Sequence, residues 1–156
     1  RAARPTQDEE EREEEERKEE ERKALYTAPR IAGDSKELVD AVKAGNTAQV
    51  QLLLQAGHSP DSKYRGETVL QMAITDDSTV AIVQALVDAG CNVNQADYLY
   101  KSTALHAAAY HGQEAVVKVL LRGGSDKALL DAQGRAAYQL VMGGDDFGST
   151  LVALLQ

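Results

Sequence analysis

The 156 residues, 43% of them apolar with one Phe, six Tyr and no Trp, allow one domain with an aliphatic, small-residue core plus a tail, and exclude two independent domains. The formal net charge of −8 excludes a general binder of nucleic acid or anionic membrane, which would need clustered Lys and Arg. Cys91 is the single cysteine, which excludes an intrachain disulfide and a cysteine-rich zinc site and points to a reducing compartment.

The first element is a charged segment. Residues 8–23, DEEEREEEERKEEERK, contain no apolar side chain and so have no face to bury. Acid-before-base spacing of four at Asp8 and Arg12, Glu13 and Arg17, Glu14 and Lys18, and Glu19 and Lys23 favours an isolated helix, while the cost of nucleation and neighbouring glutamates favour disorder. Residues 1–23 are read as a solvated tail or spacer, with a partner-binding helix as the alternative, and residues 24–34 as a linker. No run approaches the roughly 18 apolar residues of a membrane span, and the N-terminal residues lack the apolar stretch of a secretion signal, so membrane insertion is not expected. A cytoplasmic or nuclear location is expected. The chain opens on Arg1 rather than Met, which keeps an organelle matrix, after removal of a targeting segment, as the alternative.

From residue 35 three segments align: ELVDAVKAGNTAQVQLLLQAG, TVLQMAITDDSTVAIVQALVDAG and TALHAAAYHGQEAVVKVLLRGG. Each contains two short helical patterns closed by a glycine, and the closing glycines Gly57, Gly90 and Gly124 are 33 and 34 residues apart. A period of this length predicts a stacked solenoid, because one helix pair cannot cover its own apolar surface. In the third segment Leu105, Ala108 and Ala109 share one helix, and Val116, Val117, Val119, Leu120 and Leu121 the next.

The stretch STALHAAAYHGQEAVVKVLLRGGSD resembles an ankyrin repeat. Thr103, Leu105, His106, Ala108, Ala109, Gly112, Val116, Val117, Leu120, Leu121, Gly124 and Asp126 match that family's pattern, and Ala104 stands where it has proline. The second unit keeps Gly66, Thr68, Leu70, Ala73, Ile82, Leu86, Gly90, Asn92, Val93 and Asn94. Asp77 replaces its inter-helix glycine, which predicts an irregular turn there. In the third unit one extra residue in ADYLYKST, with Lys101 at a glycine position, predicts an enlarged finger. The fourth unit retains Asp131 and Gly134 but reads Ala136, Ala137, Tyr138, Gln139, as a degraded capping repeat would. The resemblance implies an all-α solenoid over residues 35–156, in units of about 35–61, 62–94, 95–127 and 128–156, with hairpin-like loops projecting beside antiparallel helix pairs.

Candidate chemistry is sparse. His106 and His111 are five positions apart and do not share a helical face, so they do not form a metal pair, and the resemblance assigns His106 to fastening its turn. His58 and Cys91 follow Gly57 and Gly90 and are read as packing variants; nothing around Cys91 would activate a thiol. Asp146, Phe147 and Gly148 spell a kinase tripeptide without the rest of a kinase, and the glycine doublets lack a phosphate cradle. No catalytic residue, metal or cofactor is expected. What remains is a surface: the resemblance places ligand contacts on Ser62, Lys63, Tyr64 and Arg65 of a first finger, on Tyr98, Leu99, Tyr100 and Lys101 of a second, and on Lys43, Met72, Thr75, Ala107, Tyr110 and His111 of the inner helices. Tyrosine and arginine suit interface anchors. The set expected to bind a partner is Tyr64, Arg65, Tyr98, Leu99, Tyr100, Lys101, Tyr110 and His111. The function implied is a non-catalytic adaptor for a protein partner. The alternative is a structural subunit held permanently in a larger assembly, with the charged segment as spacer.

Overall fold

In the computed structural model, which describes residues 3–24, 33–75, 80–141 and 146–156, the charged segment forms helix α1, Gln7–Ala24, with all its described side chains exposed. Glu14 and Lys18 meet at 2.6 Å as their spacing anticipates, whereas Arg12 turns to Glu16 rather than Asp8. Near the end of α1, Arg22 Nε approaches Asp88 Oδ2 to 3.9 Å. Most of the expected linker and the turn around Asp77 lie outside the described residues.

The repeat body begins where Ser35 caps helix α2, Lys36–Lys43, its hydroxyl oxygen accepting from the Leu38 N–H. Helix α3, Thr47–Gln55, starts on Asn46 in the same way. Thr68 opens helix α4, Val69–Met72, through a reciprocal capping box with Gln71, and the helix continues as a 3₁₀ turn over Ala73–Thr75. Helices α5, Val80–Asp88, α6, Ala104–Tyr110, and α7, Glu114–Arg122, follow. The last unit departs from the pattern: its first helix is reduced to a 3₁₀ turn, Ala137–Leu140, before α8, Asp146–Leu155. The Asp-Phe-Gly tripeptide therefore starts a helix.

These elements stack in two rows. Helices α2, α4 and α6 and the last 3₁₀ turn contact one another in order, and α3, α5, α7 and α8 form the second row. Leu38, Val50, Val69, Ile82, Leu86, Leu105, Val116 and Leu120 are buried between the rows. Ala108 and Ala109, both buried, let α6 approach its neighbours closely, and each buried Val or Leu contributes about 1.5–3 kcal/mol of burial. The doublet Gly123-Gly124 serves two needs. A Cβ on Gly123 would lie 2.8 Å from Val87 Cγ1, while Gly124, at φ +91°, takes the left-handed position that closes α7.

Polar ties repeat with the same period. The Lys63 N–H donates to Asp34 Oδ1, the Asn92 N–H to Asp61 Oδ1, and the Asp126 N–H to Asn94 Oδ1, each across 29 to 32 residues. Deeper in, Gln71 Nε2 donates to the Ser102 carbonyl at 2.5 Å, and His106 Nε2 bonds the Arg135 carbonyl at 3.0 Å. His106 Nδ1 faces two donors, the Thr103 N–H and hydroxyl, so it is the acceptor nitrogen and Nε2 carries the hydrogen. His106 thus fastens its own turn and also ties the third unit to the fourth. His58 is more than a packing variant: its Nδ1 lies 2.7 Å from Ser35 Oγ, securing the first helix cap.

The three fingers are built differently. The first is a hairpin in which β1, Lys63–Tyr64, pairs antiparallel with β2, Glu67–Thr68; Arg65 and Gly66 turn it with φ +53° and +83°, as a two-residue hairpin of this hand requires. The second has no strands. Asp97 N–H donates to the Ser102 carbonyl, Asp97 Oδ1 accepts from the Tyr100 N–H at 2.6 Å, and Lys101 occupies the glycine position at φ +51°. The left-handed region costs a residue with a Cβ roughly 1–2 kcal/mol. Lys101→Gly, relieving that cost but adding unfolded-state entropy, is expected to raise stability by about 0.5 kcal/mol, read as a higher urea midpoint. The third finger closes on Asp131, whose carboxylate accepts from the backbone of Gln133 and Arg135 and from the Arg135 guanidinium.

Candidate partner-binding surface

The fingers flank two clefts that meet along the second finger. The first, of about 270 Å³, is lined by Arg65, Glu67 and Gln71 from the first finger and the helix after it, by Asp97, Tyr98, Leu99 and Tyr100 from the second finger, and by Ala107 and His111. The second, of about 570 Å³, lies between the second and third fingers and is lined by Tyr100, His106, Tyr110, His111, Gln133, Arg135 and Leu140. Asp97, Tyr100, Ser102, Ala107 and His111 belong to both.

The second finger presents the most apolar exposure: Tyr98 is 78% accessible, Leu99 73% and Tyr100 67%. Its backbone is held firmly, because the Tyr100 N–H is taken by Asp97 and the Tyr100 carbonyl accepts from the Ala132 N–H at 2.8 Å. Exposed rings on an anchored loop are paid for in advance, since little conformational freedom remains to be lost on binding.

The eight residues expected to bind a partner fall into two groups. Arg65, Tyr98, Leu99, Tyr100 and His111 line the first cleft, and Tyr110 joins Tyr100 and His111 in the second, its ring edge-on to His111 at 5.3 Å. Tyr64 and Lys101 stand outside both linings. The Tyr64 ring already carries the Lys43 ammonium at 3.5 Å from its centroid and the Arg65 guanidinium at 5.2 Å, and Lys101 Nζ lies 5.6 Å from the Tyr98 centroid. Ser62 is a correction: it is wholly buried, its hydroxyl oxygen accepting from the Ser35 N–H and its hydrogen going to the Ser59 carbonyl. Met72 and Ala107 are half-buried rather than exposed, and the Thr75 side chain lies outside the described residues.

Sequence reasoning missed the carboxylates. Glu67, on the second arm of the first finger, and Asp97, on the first arm of the next, line the same cleft. Repeat alignment compares like positions, whereas a cleft between fingers brings opposite arms together. Partial desolvation at the cleft wall, although the side chain stays exposed, and then the nearby Asp97 charge raise the Glu67 carboxyl above its usual range, against the opposite pull of Lys43.

Asp131 behaves oppositely. The Arg135 N–H, opposed by burial and aided by the Arg135 side chain and the Gln133 N–H, holds its carboxyl below the ordinary 3.8. A folded value below the unfolded one means that its stabilisation is complete above about pH 4 and is lost as pH falls through the folded value. The difference in urea midpoint between wild type and Asp131→Asn should therefore shrink as pH drops below the ordinary 3.8. A constant difference down to pH 2 would contradict this assignment.

Among the described residues no group of three or more His, Cys, Asp or Glu is placed to hold a metal ion, and no helix is long and apolar enough to cross a membrane. A family model described as ankyrin repeats matches residues 38–131 in three copies. The mouse ankyrin repeat and SAM domain-containing protein 6 is 29% identical over 152 residues, 97% of this chain and 15% of that protein. The E3 ubiquitin-protein ligase XBAT33 of Arabidopsis thaliana is 38% identical over 82 residues, 52% of this chain and 16% of the ligase. The crystal structure of the ankyrin repeat domain of Bcl-3 superposes with a TM-score of 0.67 at 28% identity, covering 76% of this chain and 50% of that one. The chain spans only a small part of the length of these curated relatives.

Proposed function

Because the chain belongs to the ankyrin-repeat family, whose repeats are protein–protein interaction modules, we propose that it acts as a non-catalytic adaptor that captures a protein partner along the two clefts flanking its second finger. The carrying observation is the set Tyr98, Leu99 and Tyr100, three large side chains exposed in succession on a loop anchored by backbone hydrogen bonds at Asp97 and Tyr100. Aromatic residues in such a position supply contact area with little rotamer entropy to lose.

The mechanism is presentation of a pre-shaped surface. The two rows of helices fix the finger bases, the periodic Asp and Asn ties fix the spacing of the fingers, and the partner fills the gaps between them. Site-specific photocrosslinking tests this reading. A photoreactive residue at Leu99 should give a discrete crosslinked protein in extracts, whereas the same residue at Leu52, exposed on outer helix α3, should not. Crosslinks at both positions in equal yield would count against the finger surface.

A further inference from the structure

We infer that the cleft between the first and second fingers receives a basic side chain, Lys or Arg, from a protein partner. The inference rests on the proposed partner-binding surface and names the chemistry of what that surface holds.

Two carboxylates face this cleft from opposite walls, Glu67 and Asp97. Asp97 uses Oδ1 to accept from the Tyr100 N–H, and among the described residues neither carboxylate forms a salt bridge. The local cations are engaged beside the cleft: Lys43 and Arg65 lie against the Tyr64 ring, and Lys101 lies near the Tyr98 ring. Of these only Arg65 belongs to the lining, at the turn of the first finger. An incoming acidic group would meet both carboxylates, whereas an incoming cation relieves their mutual repulsion, the same repulsion that helps raise the Glu67 carboxyl.

The rest of the lining fits the remainder of such a side chain. Tyr98 and Tyr100 line the cleft with rings of the kind that attract a cation, and Leu99 and Ala107 add apolar surface suited to the methylene stem of Lys or Arg. The volume of about 270 Å³ accommodates one long side chain together with a little flanking backbone. Charge complementarity selects the occupant, and the tyrosines supply the contact area.

The test begins with a random-peptide display selection on the full chain. Enriched peptides should share one Lys or Arg flanked by apolar residues. The strongest is then synthesised with that residue intact and with it replaced by norleucine or citrulline, which keep the length and remove the charge. Binding of both forms is measured to wild type, Glu67→Gln, Asp97→Asn, the double carboxylate variant and the Tyr98→Ala, Tyr100→Ala variant, with thermal melting as the check on folding. Asn at position 97 keeps an oxygen for the Tyr100 N–H. Each single carboxylate change should weaken the charged peptide about tenfold, leave the neutral peptide within about twofold, and reduce the dependence of affinity on salt.

Enriched peptides without a basic residue, or no enrichment, overturn the inference, and so does equal binding of charged and neutral forms. Binding that depends on Tyr98 and Tyr100 but not on the carboxylates removes the basic side chain while leaving the finger surface standing. Binding indifferent to the tyrosines as well removes both.

Discussion

Replacing Tyr98 and Tyr100 together by alanine is expected to weaken partner binding by about 100-fold or more while leaving the thermal midpoint within about 2 °C of wild type. The binding loss follows from position. The two rings are among the most exposed on the described surface, and Tyr100 borders both clefts, so a partner seated there buries them at the centre of its contact. Central aromatic anchors commonly cost about 2 kcal/mol or more each when truncated, and two that share one contact combine less than additively, which gives roughly two to three decades in Kd. The retained stability follows from what the rings do not do. Both are mostly in water, and the bonds that order the finger, Asp97 Oδ1 to the Tyr100 N–H and Tyr100 carbonyl to the Ala132 N–H, use the main chain and survive in alanine. Surface changes of this kind stay within about 0.5 kcal/mol.

Tyr64→Ala is the internal comparison. Its ring is engaged with Lys43 and Arg65 and lies outside both clefts, so its loss should cost less than about threefold in affinity. Titration calorimetry with the captured partner separates the two cases. Equal affinities for wild type and the Tyr98, Tyr100 double variant would remove the proposed surface outright.

The stacked helices were legible because their signal is redundant. Closing glycines at a fixed period, alanines at Ala108 and Ala109 and the valine-leucine runs each report the same burial pattern, and burial is what those residue types respond to. Lys101 at a glycine position was legible as an anomaly, and its φ of +51° is the cost of that substitution. Finger contacts were less legible, because a loop's side-chain directions depend on turn geometry rather than on period. Ser62 illustrates this: it directly precedes the exposed Lys63, Tyr64 and Arg65, yet it turns inward to accept from the Ser35 N–H across 27 residues. Reduction of the last inner helix to a 3₁₀ turn was anticipated only as deterioration of the motif. There Ala136 replaces the capping threonine, and Gln139 alone reaches back to the Ala136 N–H.

The second large effect is expected at His106, where alanine should cost about 3 kcal/mol and glutamine less than about 1.5 kcal/mol. His106 is 1% exposed and serves two units at once: Nδ1 accepts from Thr103, and Nε2–H donates to the Arg135 carbonyl. Alanine leaves a cavity and strands the buried Thr103 N–H, each worth about a kilocalorie or more, and takes from the Arg135 carbonyl one of two donors, the Asp131 N–H remaining. Glutamine is a test the molecule itself suggests. Gln71 holds the equivalent place one repeat earlier, with its Oε1 accepting from the Thr68 N–H and its Nε2 donating to the Ser102 carbonyl. The same two bonds are therefore within reach of a Gln at position 106. In a solenoid, stability is shared between units and their interfaces, so the alanine variant should loosen the fourth unit first. Hydrogen exchange should accelerate at Ala137–Leu140 and α8 before it does at α2 and α3, and the urea midpoint should fall by about 1 M or more. A His106→Gln variant as unstable as His106→Ala would show that ring packing, rather than the paired hydrogen bonds, joins the last two units.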